Sequence, residues 1–540
     1  MQAMQAKRAT APSFNAKEVL RRATHLHRQD RIDEAEQLYL EVLAYDPRSV
    51  AAMQFLALVR IKQGALASAL EYVATAIECS ETPEKTLRVC LQTLKELASR
   101  FTAKSQHEQA LACYNLILAV PGDGSCIHFR CDALVALDRL DEALAGAEQA
   151  VLEFPNHGNS HFALGRVQQR FGRWKEAEAA YREALRLTPN SSVHGNLGVV
   201  LNSLGHVDEA LHHYNKALAL GGDEGMARMN KGVALLAVGR FKEGWANYDG
   251  RIDSLADLRT YSYPQPYWAG EKIEGGLLVS GEQGIGDQIL YASMLQELTQ
   301  FAPQVIAEVD PRLVSLFARS FPAIKVFGFD TAVPDEMIKA QTRIGSVGQY
   351  LRRSFEDFPK RDYFLVADCG RTAELRARLA HDGRRVIGVS WKSKNPTHER
   401  AKSAQLTDFA AIFRLPNCRF VDLQYGDTSA DRAALQAELG VTLDHLDDID
   451  NKNDIDGLAS LISACDAVVS VSNTTVHLAG ALGRPTWTFV PFGQARMWYW
   501  FVDHSDSPFY GTMQVRRQGL GQSWADLIAG SASEIDRLVR

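Results

Sequence analysis

Residues 163–189, ALGRVQQRFGRWKEAEAAYREALRLTP, and residues 196–220, NLGVVLNSLGHVDEALHHYNKALAL, are two copies of one pattern. Each holds a Leu-Gly pair (Leu164-Gly165, Leu197-Gly198) and then a small residue, an aromatic four positions on and another small residue three beyond: Ala177/Tyr181/Ala184 and Ala210/Tyr214/Ala217. That spacing places the three side chains on one helix face, where small residues let a second helix approach and the aromatic fills the gap. Outward from these copies the pattern recurs at Ala35/Tyr39/Val42, Ala69/Val73/Ala76, Ala110/Tyr114/Ile117 and Ala143/Ala147/Ala150, and ends at Gly244/Tyr248/Arg251. First members are 33 or 34 residues apart, except for 41 between Ala69 and Ala110.

A period near 34 residues is that of a tetratricopeptide-type (TPR) helical solenoid. The sequence predicts about seven repeats over 16–252, behind a disordered stretch at 1–15, with Pro47, Pro155 and Pro189 stopping the second helix of a unit. One unit cannot bury its own apolar face, so the units must stack and present a concave surface. The expectation is a surface that holds another polypeptide; the plainer alternative is that it dimerises the chain or props up the second half.

The helical period fades through RIDSLADLRTYSYPQPYWAGEKIEGG, giving a connector at 253–275. Short apolar runs then alternate with amphipathic helices: Gly276 to Ser280, Val305 to Val309, Ile324 to Phe327, Val386 to Ser390, Phe420 to Leu423, Ala467 to Val471 and Thr486 to Val490. Continuous apolar strands separated by helices predict parallel sheets covered on both faces, here as two lobes, 276–375 and 376–540, with ligands beyond the carboxyl ends of the strands.

Three segments at such ends bear polar groups. In LLVSGEQGIGDQILYASML, Gly281, Gly284 and Gly286 lead into a helix opening near Asp287, which reads either as a cap or as a general base. The spacing matches neither the dinucleotide fingerprint nor a P-loop. In VIGVSWKSKNPTHERAKS, Ser390, Lys392, Lys394, Arg400 and Lys402 suit a phosphate or diphosphate leaving group, against the alternative of a solvated basic loop. In DAVVSVSNTTVHLAGALGRPTWTFVP, Ser472, Asn473, Thr474 and Thr475 precede a helix carrying His477, an arrangement able to hold an anion.

Taken together, SGEQGIGDQILYASML, GRFKEGWANYDGRI, PYWAGEKIEGG, SVSNTTVHLAGALGRPTW and the later WYWF and SPFYGTMQVRRQ segments resemble bacterial TPR-coupled glycosyltransferases whose catalytic half is related to the lipopolysaccharide heptosyltransferases. The resemblance implies a GT-B fold of two Rossmann-like lobes, an acceptor-side base at Gly286-Asp287, and a nucleotide-sugar held by the second lobe. The motifs and the resemblance together give the expected donor-side positions Gly284, Gly286, Ser390, Lys392, Arg400, Lys402, Gln424, Ser472, Asn473, Thr474, Thr475 and His477. Relatives have Asp-Thr where this chain has Ser472-Asn473, which leaves the donor open. The expected activity is inverting, metal-independent transfer to Ser/Thr of a protein held by the solenoid, with flagellin as a setting the resemblance suggests. A non-catalytic scaffold with a degenerate transferase half, and transfer to a lipopolysaccharide-type acceptor, are the alternatives.

The remaining features exclude other classes. A formal net charge of -6 provides no global basic field for nucleic acid. No leader-like apolar segment or 18-residue apolar run is present, so the expectation is a cytoplasmic protein without membrane insertion. The eight cysteines read as buried thiols. Asp448-Ile-Asp450 and Asp454-Ile-Asp456 fit a D-x-D metal motif, but read instead as a solvated loop with Asp456 capping the next helix, so neither metal nor cofactor is expected.

Overall fold

The computed structural model describes residues 14–120, 124–254, 263–394 and 399–539. Most of the expected disordered N-terminus, part of the connector (255–262) and part of the basic loop (395–398) lie outside the described residues. The chain forms two compact units, 1–196 and 197–540.

The first unit is a succession of helices from Ala16–Arg28 to Trp174–Leu187. The expected pattern residues are its core: Ala35, Ala69, Ala110, Ala143 and Ala177 have no exposed surface, and Tyr39 and Tyr181 fill the gaps between helices. The Leu-Gly pair has a steric cause, since a Cβ on Gly165 would stand 2.6 Å from Cε1 of Tyr181. The long 41-residue interval also has one. The helix Pro83–Ala103 runs 21 residues, against 13 for the preceding Leu66–Glu78. Pro47, Pro155 and Pro189 follow helices ending at Tyr45, Glu153 and Leu187, as a residue without an N–H requires.

The second unit begins with repeat helices Val207–Ala219, Glu224–Ala237, Phe241–Tyr248 and Gly250–Ser254, then turns to sheets. The expected junction at 252 falls inside the last of these helices. β1 (Gly276–Ser280), β2 (Gln304–Val309), β3 (Ile324–Gly328) and β4 (Ala340–Arg343) form a parallel sheet in the order β3-β2-β1-β4. β5 (Arg385–Ser390), β6 (Cys418–Asp422), β7 (Ala467–Val471), β8 (Thr486–Val490), β9 (Asp506–Ser507) and β10 (Tyr510–Arg517) form a second, in the order β6-β5-β7-β8-β10-β9. Only the edge strand β9 is antiparallel. All seven expected strands are present, and β1, β7 and β8 are buried at every position, as doubly covered parallel strands require.

The second unit has one large core that joins Phe241, Trp245 and Tyr248 of the last repeat helices to Leu277 and Val279 of β1 and to Trp498, Trp500 and Phe501. Trp245 donates through Nε1 to the carbonyl of Arg352 at 2.7 Å, and the hydroxyls of Tyr248 and Tyr291 lie 3.0 Å apart. The seventh repeat is thereby welded onto the first lobe. Of the cysteines, six are buried, Cys369 is exposed, and all eight are free thiols.

The cap expected at Asp456 belongs to Asp454, whose carboxylate accepts from the N–H of Gly457 at 2.8 Å. Asp456 takes the second helical position and pairs with Arg319, while Asp448 pairs with Arg378 at 2.7 Å. Asp450 accepts from the N–H of Lys452 at 2.9 Å. The D-x-D carboxylates are thus occupied in caps, turns and ion pairs.

Candidate active site at facing helix starts

The site grows from the turn after β1. Gly281 donates to the carbonyl of Glu308 at 2.6 Å, and Gln283 adopts a left-handed φ of 59°, which turns the chain sharply into the helix Ile285–Ala292. That helix opens two residues before Asp287, which takes the third helical position. Both readings of Asp287 are visible in its two oxygens. Oδ2 accepts from the N–H of Gly284 at 3.4 Å, a long capping contact, whereas Oδ1 is closed to solvent and has no hydrogen-bond partner.

Across from it stands the helix Thr474–Ala481, which follows β7 of the second lobe. A Cβ on Gly286 would lie 2.9 Å from Cδ2 of His477, so glycine there lets the two helix starts meet. His477 Nδ1 lies 2.9 Å from the Tyr510 hydroxyl, and its ring stacks on Trp500 with centroids 5.2 Å apart. Tyr499 meets the same imidazole edge-on and is turned toward the Asp287 carboxyl without closing a hydrogen bond to Oδ1.

Lys402 completes the group. It is buried at 6% exposure and makes no hydrogen bond or ion pair among the described residues, yet it lies within electrostatic reach of both Asp287 and His477. Burial pushes the Asp287 carboxyl up to about 6, against the pull of Lys402 and the Gly284 N–H. Burial lowers the Lys402 ammonium, and Asp287 opposes that shift. Burial, with Lys402 adding to it, takes His477 down to about 3, so the imidazole is neutral at physiological pH. A neutral imidazole can give or accept one hydrogen bond here, but it supplies no positive charge.

The other expected donor residues form a second knot at the ends of β5, β6 and β7. The Gln424 side-chain oxygen accepts from Ser390 Oγ (3.0 Å) and from the N–H groups of Trp391 (3.0 Å) and Lys392 (2.7 Å). Asn473 donates to Ser390 Oγ at 2.7 Å and to the Lys392 carbonyl at 3.1 Å, while its oxygen caps the N–H of Thr475 at 3.0 Å. These side chains hold one another and fix the strand ends. Lys392 pairs with Asp431 at 2.6 Å, and Ser472 accepts from the Trp500 indole at 2.8 Å.

The four cations of the basic segment are therefore distributed: Lys392 to Asp431, Lys402 inward, and Lys394 and Arg400 exposed. Gly284 is exposed and Thr474 partly so, both at the margin of the site. The structure brings Gly286, Asp287, Lys402 and His477 together, and sequence reasoning did not place Tyr499, Trp500 and Tyr510 around them. The WYWF run signals burial; nothing in it tells which imidazole or carboxyl it surrounds.

Among the described residues no cluster of three or more His, Cys, Asp or Glu could hold a metal ion, and no helix is long and apolar enough to cross a membrane.

Comparison with known proteins places these features. The tetratricopeptide repeat family matches residues 20–82, 131–192 and 197–247. Protein FlbA of Caulobacter vibrioides (strain ATCC 19089 / CIP 103742 / CB 15) is 31% identical over 497 residues, covering 87% of this chain and 82% of its own. Among solved structures, a tetratricopeptide repeat protein from Parabacteroides merdae ATCC 43184 matches 45% of this chain and 93% of its own at 15% identity and a TM-score of 0.33. The ADP-heptose lipopolysaccharide heptosyltransferase II of E. coli matches 49% of this chain and 98% of its own at 16% identity and a TM-score of 0.36.

Proposed function

We propose, from the premise that this chain belongs to the family of Protein FlbA, that it is a glycosyltransferase moving a sugar from a nucleotide-sugar to Ser or Thr hydroxyls of a protein captured by its TPR helices. The observation that carries the reading is the Asp287 carboxyl, with one oxygen unbonded, beside the buried cation Lys402, which has no ion pair among the described residues, where a helix start from each lobe meets. Opposed base and cation at such a place suit a displacement that develops positive charge on one side and negative charge on the other.

In the proposed step the acceptor hydroxyl gives its proton to Asp287 and its oxygen bonds to the anomeric carbon. The bond from that carbon to the nucleotide phosphate oxygen breaks, and the electron pair leaves with the phosphate. Lys402, whose charge is not spent on a salt bridge, stabilises the departing phosphate, and attack from the opposite face inverts the anomeric centre. The Ser390–Gln424–Asn473 knot and the Thr474–Thr475 helix start hold the strand ends that frame the donor in this GT-B-like arrangement. Gly284 and Arg400 lie at its open margin, and neither metal nor cofactor enters the step. Flagellin is the acceptor favoured by the sequence resemblance, in a cytoplasmic setting.

The test is intact-mass spectrometry of cellular proteins from cells carrying wild-type protein, the Asp287→Asn variant or none. Loss of one glycan mass from a dominant protein in the last two supports the reading; an unchanged glycan pattern in all three overturns it. A second reading, a scaffold with a degenerate transferase half, draws on Lys392 being committed to Asp431 and on Asn473 and Gln424 being spent on internal bonds. Titration of the full-length chain with a panel of nucleotides separates them, since a degenerate half binds none.

A further inference from the structure

The proposed transfer step leaves two buried groups unused, the His477 imidazole and the Tyr510 hydroxyl. His477 is 3% exposed, and Tyr510, the first residue of β10, is 1% exposed. The imidazole is clamped: Trp500 stacks on it, Tyr499 meets it edge-on with centroids 5.3 Å apart, and Tyr510 meets it at 5.9 Å. In that pose its two edges face different partners. Nδ1 lies 2.9 Å from the Tyr510 oxygen. A Cβ on Gly286 would stand 2.9 Å from Cδ2 and 3.5 Å from Nε2, so the Nε2 edge is turned to the helix start that carries Asp287.

Which nitrogen carries the hydrogen follows from the donors and acceptors present. The Tyr510 hydroxyl has one proton, and Nδ1 is its one hydrogen-bond partner among the described residues. Burial, with Asp287 adding to it, pushes the phenol well above its ordinary value, so that proton stays on the oxygen. If Nδ1 donated to the phenol oxygen, the phenol proton would be a buried donor without an acceptor, which is costly. If the hydroxyl donates to a bare Nδ1, both atoms are satisfied, and the hydrogen of the neutral ring sits on Nε2. Lys402 favours the reverse, a lone pair at Nε2, but it makes no hydrogen bond to the ring and acts on it only through space.

We infer that Tyr510 is a positioning residue: its hydroxyl holds His477 in the Nε2–H tautomer, so that the ring offers a neutral N–H to an oxygen of the donor phosphate beside Lys402. A nitrogen that can only donate, next to a cation, suits an anionic oxygen. The phosphate contact rests on the transferase reading; the tautomer does not.

Full-length protein with isotope-labelled histidine nitrogens gives the imidazole NMR spectrum, and the His477→Gln variant identifies the His477 signals by their loss. The free wild-type protein should show a protonated Nε2 and a bare, hydrogen-bonded Nδ1, and Tyr510→Phe should shift the Nδ1 resonance and let the Nδ1–H form appear. A wild-type ring protonated at Nδ1, or a spectrum that Tyr510→Phe leaves unchanged, would overturn the assignment. Titration with ADP, GDP and UDP adds a binding readout. Tyr510→Phe should weaken the best-bound of the three by about three- to tenfold. Glutamine has no tautomer to fix, so in the His477→Gln background Tyr510→Phe should cost no further affinity; an equal loss in both backgrounds overturns the action of Tyr510 through the ring. If none of the three nucleotides binds, the transferase reading and the phosphate contact fall together, while the spectrum of the free protein still decides the tautomer.

Discussion

Arg251 and Glu282 form an ion pair at 2.6 Å in which neither side chain has any exposed surface. Arg251 belongs to the last repeat helix and Glu282 to the loop that delivers Asp287. The same guanidinium reaches Ser346 Oγ at 2.9 Å and Asp249 at 2.5 Å, and Glu282 Oε1 also accepts from the N–H of Gly345 at 3.0 Å. With water reaching this network only at Asp249, the Arg251–Glu282 pair fixes the loop's position because any displacement strands a buried charge.

Removing one partner is therefore the damaging change. Arg251→Met should cost about 3–5 kcal/mol, since it leaves Glu282 buried and unpaired, whereas the double variant Arg251→Met/Glu282→Leu should recover much of that. Urea unfolding followed by tryptophan fluorescence checks it, with the transition of the second unit resolved separately. Equal destabilisation by the single and double variants would show that the pair's charge is not what holds the loop.

Asp287 should impose a pH dependence on both rate and stability. Because burial pushes its carboxyl up to about 6, the base is largely protonated at pH 5 and largely ionised at pH 7, so transfer should rise across that interval. The sign for stability is opposite. A carboxyl whose folded-state pKa is raised is bound more tightly to its proton in the folded protein, so its contribution is present below pH 4 and lost as pH rises through about 6. At pH 8, Asp287→Asn should unfold later than wild type by about 1–3 kcal/mol, while at pH 4 the two should coincide. Lys402→Met should move the rate profile to higher pH, because the cation that favours the ionised carboxyl is gone, and should lower kcat by about 10²–10³ through the lost stabilisation of the leaving phosphate.

The repeat glycines provide a steric test inside each unit. A Cβ at Gly165 would meet Tyr181 Cε1 at 2.6 Å, and one at Gly198 would meet Tyr214 Cε1 at 2.6 Å. Gly165→Ala should destabilise the first unit and Gly198→Ala the second, each by about 1–3 kcal/mol, even though alanine favours helix. A stability gain in either, measured by thermal unfolding, would mean that the tyrosine ring moves aside without cost.

Such close contacts explain why the helical half was legible in sequence: each repeat buries the same helix face, led by a small residue and in most copies filled by a tyrosine, so the physics repeats and the period exposes it. The strands β1, β7 and β8 were legible because full burial writes an unbroken apolar run. β4, Ala340–Arg343, was not, because Gln341, Thr342 and Arg343 are buried polar residues that break the apolar run; Gln341 is satisfied from distant chain, donating to the carbonyls of Tyr263 and Gln265 at 2.7 Å. The same holds at the site. Glycines and a helix start announce Asp287, but its pKa is set by burial, which raises it, against the opposing pull of Lys402, 115 residues on in the chain, and neither can be read from the motif. The Lys392–Asp431 pair likewise joins a strand end to a helix that carries no motif.

That pair offers the sharpest test of how the second lobe handles an anion. Lys392 is held at 2.6 Å by Asp431, which also accepts from the Trp391 indole at 3.2 Å, so the ammonium reads as a brace between the end of β5 and the helix Ser429–Leu439. If it braces, Lys392→Met should weaken nucleotide binding only through a displaced strand end, and Lys392→Met/Asp431→Leu, which removes the stranded carboxylate as well, should restore most of the affinity. If instead the lysine leaves Asp431 to meet the donor phosphate, both variants should lose about tenfold or more, because a charge-assisted hydrogen bond to phosphate is gone in each. Calorimetric titration of the full-length variants with the tightest-binding nucleotide distinguishes the two. The partly exposed position of the pair makes its own contribution to stability small, so a large affinity loss in the double variant would assign Lys392 to the ligand rather than to the fold.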